Sequence, residues 1–415
     1  MNEFMFATGI ECSYPTIRNG GCRVDELDET GHYERWHEDL YLTREMGIRF
    51  LRYGFSYHLI NSRPYHYDWS FTDEVLTEMR RLEIEPIIDL CHFGMPDWLG
   101  NSFQNPDFPE AFAHYAHAFA QRYPWIKLYT PVNEIFVCAK FSALFGWWNE
   151  QEKSDRAYVT ATSHMVKACL LAMKKILEIQ PQAIFIQSES SEYTHTVCGC
   201  QHTHERVDWE NQTRFLALDL LYSHEVRADI HAWLLDNGMT QEEYRWFMSH
   251  GLHTRCVMGN DYYATNERIL QHDGTASHVG EVFGWYLVTR EYYDRYHKPV
   301  MHTETNLRQE DNSVAWLWKQ WQSLLRMREE GIPVLGFTWY SLTDQVDWDT
   351  ALREPNGNVN AVGLYDLDRK IRPVGEAYRN IIREFNGLPL VPNSDFFGHS
   401  GFAQKPRITK VCANR

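Results

Sequence analysis

Several absences bound this sequence before any motif is read. Basic residues are the minority charge, 40 Lys+Arg against 56 Asp+Glu for a formal charge of −16 with His neutral, and they gather into no stripe. A polyanion is repelled by such a surface, so a nucleic-acid partner is excluded. No apolar run reaches the ~18 residues that span a bilayer, so no membrane partner is expected either. The opening MNEFMFATGI carries an early acidic residue, no Lys or Arg, and too short an apolar stretch for a signal-peptide core. It reads as a strand. Cysteines number nine in 415 residues, an odd count without patterned spacing; the expectation is reduced thiols in a cytoplasm and no disulfide framework. No Gly-x-Gly-x-x-Gly turn follows the first strand, which counts against an open dinucleotide-binding sheet.

What is abundant is aromatic and aliphatic. Phe, Trp and Tyr (22, 15 and 23 residues) make 14% of the chain within a 44% hydrophobic total, enough to offset the entropy of ordering. A prior of roughly 150 residues per domain suggests two or three domains, yet α/β barrels with insertions exceed ~400 residues as one unit. Strand-like runs fall at 4–12, 48–53, 85–91, 126–133, 183–189, 255–261, 299–304 and 334–339. Helical stretches follow near 34–46, 71–82, 108–122, 155–180, 211–250, 280–297, 311–330 and 373–385. Without a linker or composition break, these rounds predict an α/β fold, a single (β/α)8 TIM barrel with loop insertions over 1–389, and a C-terminal tail over 390–415.

In such a barrel the chemistry sits where strands end. Those ends carry Glu11, Arg52, His92, Asn133 with Glu134, Glu189, Asp261 to Tyr263, Glu304, and Trp339 with Tyr340. Glu134 and Glu304 close the fourth and seventh strands, so two carboxyls face one pocket. Such a pair cleaves an acetal, one group protonating the leaving oxygen while the other attacks or activates water. Burial and repulsion push their pKa values apart, and an inward Arg52 would hold the anionic one charged. Taken singly, each Glu reads equally well as an ordinary buried, paired carboxylate.

The surrounding segments supply a resemblance. Thr130-Pro-Val-Asn-Glu-Ile resembles the Thr-Phe-Asn-Glu-Pro signature of glycoside hydrolase family 1, and His302-Thr-Glu-Thr-Asn resembles its Ile-Thr-Glu-Asn-Gly. The stretch Asp39 to Tyr53, Asp89-Leu-Cys-His-Phe-Gly-Met-Pro-Asp-Trp-Leu, Gly259-Asn-Asp-Tyr-Tyr and Gly336-Phe-Thr-Trp-Tyr-Ser-Leu-Thr-Asp-Gln-Val-Asp-Trp are similar to further family segments in the family's order. The resemblance spans roughly 4 to 386. It implies a retaining β-glycosidase in which Glu134 is the acid/base and Glu304 the nucleophile, with carboxyls about 5–5.5 Å apart. It also implies that Asn133 bonds the sugar 2-OH, that Tyr263 and Arg52 steady the nucleophile, and that His92 holds a sugar hydroxyl. Departures rewrite hydroxyl recognition. Ser13-Tyr14-Pro15 lacks the family's Gln, for which Glu11 stands in; Phe-Glu-Trp becomes Val346-Asp347-Trp348; Asp261 replaces an Asn. The sugar-stacking Trp aligns with Tyr340, but Trp339 is adjacent and alternation lets only one face the pocket.

Other features compete less well. Cys198, Cys200, His202 and His204 offer zinc-type ligands, but an extended run sets the first and last ~20 Å apart; a loop is expected instead. Trp147 and Trp148 are placed either to stack on a sugar beyond the cleavage point or to clamp an insertion. Trp318 and Trp321 are expected to share a helix face that packs on the barrel. The expectation is a retaining exo-β-glycosidase on a small carbohydrate or glycoside, with no metal and no organic cofactor. Its substrate-binding residues are Glu11, Arg52, His92, Asn133, Tyr263, Trp339 and Asp347. A transglycosylase using the same carboxylates, a sugar-binding barrel without turnover, and a metal-dependent hydrolase are the alternatives.

Overall fold

Each strand-like run becomes a strand of one closed barrel in the computed structural model, which describes residues 3–197, 199, 201–252 and 254–390. The strands are β1 (Met5–Gly9), β2 (Phe50–Gly54), β3 (Glu85–Asp89), β4 (Leu128–Thr130), β5 (Ile184–Ser190), β6 (Cys256–Asp261), β7 (Val300–Glu304) and β8 (Val334–Trp339). Neighbours pair in parallel, and β1 pairs with both β2 and β8, which closes the ring. Strand β4 is shorter than its apolar run because Pro131 has no N–H to give a ladder.

Helices His32–Glu45, Ser70–Arg81, Phe108–Arg122, Asp155–Ile179, Gly284–Tyr296, Glu310–Glu329 and Pro373–Glu384 fall close to the expected stretches. The exception is 211–250. That region holds four helices, Gln201–Thr213, Leu216–Leu221, Ala228–Asp236 and Gln241–His250; Ser223 (φ 52°) and Gly238 (φ 103°) turn left-handed between the last three, and a left-handed residue cannot continue an α-helix. A small sheet of Tyr193–Thr196, Glu267–Leu270 and Ala276–His278 also lay below the reach of periodicity, since its strands are too short to show an alternation.

Two apolar cores support the site. Met5, Ala7, Phe50, Ile87, Leu128, Ile184, Ile186, Val257, Met301 and Leu335 plug the barrel interior. A larger core fills the layer between strands and helices, where Trp321 touches Phe4, Phe6, Phe337 and Phe385. Trp316 and Trp321 form the buried face of their helix, whereas Trp318 is 36% exposed; this corrects the expected pairing of Trp318 with Trp321.

Two register shifts, one on each side of β7, decide what faces the barrel axis. Met301 lies in the interior plug, so strict alternation would turn Thr303 inward and Glu304 outward. A shift against β6 between Met301 and Glu304 sets Glu304 opposite Asp261 instead, and the extra residue re-aims the carboxylate inward. A second shift, between Val300 and Met301, falls against β8. Beyond it Phe337 packs in the outer core against His302 and Tyr378, although Leu335 two residues earlier is inside. Trp339, paired with Thr8, therefore joins the outer core and Tyr340 turns in.

Candidate active site

The interior ends of β2, β3, β4, β6 and β7 meet at Arg52, which is 2% exposed. Its Nη1 donates to Glu304 Oε1 and its Nη2 to Asp89 Oδ2 at 2.8 Å and to Asn133 Oδ1. Burial opposes the guanidinium charge, but Glu304 and Asp89 outweigh it and raise its proton affinity. His92 Nδ1 lies 2.8 Å from Asp89 Oδ2, and His92 Nε2 lies 3.2 Å from Asn133 Nδ2. Burial disfavours the imidazolium too, yet Cys12 and Asp89 pull its proton affinity above the usual histidine range. Tyr263 donates from its hydroxyl to Glu304 Oε2 at 2.7 Å, so both oxygens of Glu304 are held.

Glu134 occupies the turn after β4 in a left-handed conformation, φ 41° and ψ 62°, which non-glycine residues adopt at a cost. Neighbouring strands fix that turn: Asn133 N–H donates to Cys91 O and Glu134 N–H to Ser188 O, both at 2.9 Å. Burial drives the Glu134 carboxyl well above its ordinary pKa, and the charges of Asp261, Glu304 and Glu189 add to that. Glu189 itself accepts from Phe136 N–H at 3.0 Å at the start of helix Ile135–Ala139. Asp261 accepts the Ser188 hydroxyl at both oxygens, 2.9 and 2.7 Å. Burial and Glu304 push its pKa to about 8, so at neutral pH it is mostly protonated and matches, in charge and shape, the Asn it replaces.

One group in this cluster has metal-ligand character. Cys12, Asp89 and His92 present donor atoms within 4.8 Å of one another. Asp89 and His92 already bond each other, and Asp89 also bonds Arg52.

A glycosyl hydrolase family 1 model matches residues 24–218. The chain is 22% identical over 366 residues to the 6-phospho-beta-glucosidase AscB of Escherichia coli, covering 78% of this chain and 77% of that protein. It is 21% identical over 396 residues to beta-glucosidase A of Thermotoga maritima, covering 86% and 87%. The family 1 β-glucosidase structure from Thermotoga maritima superposes with a TM-score of 0.76 at 16% identity, over 92% of this chain and 97% of that one. This protein is a family 1-like glycoside hydrolase.

The hydrolase brings Arg52, His92, Asn133, Tyr263 and Glu304 into one bonded cluster, with Glu134 coupled to it through charge. Glu11 sits at the edge of the cluster. It accepts Ser13 N–H at 3.0 Å, the Ser13 hydroxyl, and Gln345 Nε2 at 3.2 Å. Burial lifts its pKa, which His92 partly opposes. Two expected sugar ligands are engaged by other groups. Trp339 is fully buried in the outer core with Nε1 donating to Val362 O at 2.9 Å, because the extra residue of β8 opposite β7 reverses the face it takes. Tyr340 holds the inner position, stacked parallel to His92 at 6.3 Å and 5.5 Å from the Arg52 Cζ. Asp347 is taken up by its own loop, accepting the N–H groups of Asn356 (2.7 Å), Gly357 (2.9 Å) and Asn358 (2.8 Å). A carboxylate satisfied by three backbone donors orders that loop.

Sequence reasoning passed over Asp89, the group that ties Arg52 to His92. Its position three residues before His92 at a strand end was the available signal. Of the candidate zinc ligands, Cys198 and Cys200 lie outside the described residues, while His202 and His204 are exposed on helix Gln201–Thr213 and not in an extended loop. Trp148 is fully buried, with Nε1 donating to Ala351 O at 2.9 Å; Trp147 is half-buried beneath Arg353, 4.4 Å from the ring centroid. No helix among the described residues is long and apolar enough to cross a membrane.

Proposed function

We propose that this hydrolase cleaves a terminal β-linked sugar from a glycoside with retention of configuration. Glu304 attacks the anomeric carbon as Glu134 gives its proton to the departing oxygen; the C–O bond breaks and a glycosyl ester of Glu304 forms. Glu134, now ionised, removes a proton from water as the water oxygen attacks the anomeric carbon, which releases the sugar and regenerates both groups. The observation that carries this reading is the contrast between the two carboxyls. Burial and nearby charge raise the pKa of Glu134 and so favour its acid form, whereas Glu304 is held by Arg52 and Tyr263 as a nucleophilic carboxylate requires. Asn133 is assigned to the sugar 2-OH and His92 to a neighbouring hydroxyl. Tyr340 takes the stacking position in place of Trp339.

The catalytic unit in this proposal spans 1–389, with 390–415 as a tail. A cytoplasmic location accords with Cys12, Cys22, Cys91, Cys138, Cys169 and Cys256 being free thiols. The test is hydrolysis of aryl β-glycosides (gluco, galacto, fuco, manno and xylo) followed by NMR. The β-anomer should appear first, and Glu304→Gln should lower kcat at least 10³-fold with the circular dichroism spectrum unchanged. An α-anomer first would replace the mechanism with inversion, and full activity in Glu304→Gln would remove the assignment.

A further inference from the structure

A cavity of about 300 Å³ is bounded by helix Asp155–Ile179, helix Gln201–Thr213 and the small sheet beyond β5. None of Arg52, His92, Asn133, Glu134, Tyr263 and Glu304 lines it. Its apolar wall is aromatic, with rings from Phe136, Phe145, Tyr158, Trp209 and Trp233; Trp233 packs edge-on against Trp209 at 5.4 Å. Ligand pockets run from roughly 300 Å³ upward, so a cavity of this size takes a single ring with a short arm.

The polar wall carries more positive charge than it neutralises. Lys140 Nζ, at 2.8 Å, and Arg268 Nη2 both donate to one oxygen of Glu192, Oε2. Neither cation has a second carboxylate partner among the described residues. Arg268 Nε is buried and donates to no group among them, and a guanidinium in a protein does not lose its charge. Burial lowers the Lys140 pKa and Arg268 adds to that, against the pull of Glu192. The other polar side chains here are already engaged. Glu210 accepts from Arg206 Nε and from the Thr194 hydroxyl, both at 2.9 Å. Asn211 bonds the Thr194 backbone through both Oδ1 and Nδ2, and Arg214 donates to Asn211 O, Glu192 O and Glu291.

We propose that this cavity binds a small aryl carboxylate, with its carboxylate on Arg268 and Lys140 and its ring against the aromatic wall. The ligand supplies the second anion that two cations on one carboxylate lack, through charge-assisted bonds in a site that screens poorly. Its ring finds offset or edge-on partners in the wall. A sugar acid brings the same anion but several hydroxyls besides, and a buried hydroxyl without a partner is costly. With Thr194, Glu210, Asn211 and Arg214 spent on one another and their neighbours, few groups remain to receive them. The site is independent of the hydrolase reading, since no step of the cleavage uses it.

Calorimetry on the full-length protein with cinnamate, cinnamyl alcohol and glucuronate tests this. Cinnamate should bind at least tenfold more tightly than either of the others. Arg268→Gln leaves the Lys140–Glu192 pair in place and should weaken cinnamate at least tenfold with the circular dichroism spectrum unchanged. Glu192→Gln releases both cations and should tighten cinnamate at least threefold, a gain that loss of packing would not produce. No cinnamate binding at millimolar concentration, or equal binding of the alcohol, overturns the proposal. Tighter binding of glucuronate overturns the aryl assignment, and unchanged cinnamate affinity in Arg268→Gln places the ligand elsewhere. Weaker binding in Glu192→Gln contradicts the surplus of positive charge on which the site rests.

Discussion

Asp261 shows how one residue's surroundings set its chemistry. Its folded pKa of about 8 lies above the usual carboxyl value of 3.8, so between those values the folded chain binds a proton that the unfolded chain releases. The stability this contributes is fully present below pH 3.8 and is lost as pH rises through about 8. Asp261→Asn, which has no proton to lose, should therefore raise Tm relative to wild type by more at pH 9 than at pH 5. Thermal unfolding at both pH values checks this, and equal shifts at both would show that Asp261 is not the titrating group. The neighbourhood was partly legible: Glu134, Glu304, Arg52, His92, Asn133 and Tyr263 all sit at strand ends within recognisable segments. The protonation of Asp261 was not legible, because it depends on Glu304 and Ser188, which are distant in the chain.

Between β6 and β7 an element depends on a single carboxylate. Glu267, fully buried, accepts the N–H groups of Val282, Phe283 and Gly284 at 3.1, 2.9 and 2.8 Å at the start of helix Gly284–Tyr296. The Tyr262 hydroxyl and His195 Nε2 each lie 2.6 Å away. A helix start presents unpaired N–H groups and a positive dipole end, so an anion there serves both. Glu267→Ala strands those buried donors and should cost about 2–3 kcal/mol in urea unfolding; a loss under 0.5 kcal/mol would show that water replaces the carboxylate. This small sheet escaped the sequence reading because its strands are three or four residues long. Strand β8 was found with its bounds intact, yet its facing was misread, since its extra residue shows only in the pairing with β7 and not in its own sequence.

Across the whole molecule, Arg369 joins the last loop to the first βα unit. Its Nε and Nη2 each lie 2.8 Å from Asp39, and its Nη1 donates to Thr30 O at 3.0 Å. Asp39 in turn is 2.7 Å from His32 Nδ1. All three side chains are buried, and removing one partner of a buried ion pair leaves the other uncompensated. Arg369→Ala should lower global stability by about 3–5 kcal/mol, measured by urea unfolding at pH 7, where a change below 1 kcal/mol would contradict the uncompensated-charge argument.

Chain order, the alternation of strand and helix, and the residue types at strand ends were determined by the sequence alone, because periodicity and turn chemistry are local. They were enough for the barrel and for setting Glu134 and Glu304 at strand ends. Only the tertiary structure decided that Glu304 faces inward, that Tyr340 and not Trp339 turns in beside Arg52 and His92, that Asp347 is held by its own loop, and that burial beside Glu304 raises the pKa of Asp261. Each of these depends on register between neighbouring strands or on charges brought together from distant positions, and neither quantity is written in any one stretch of chain.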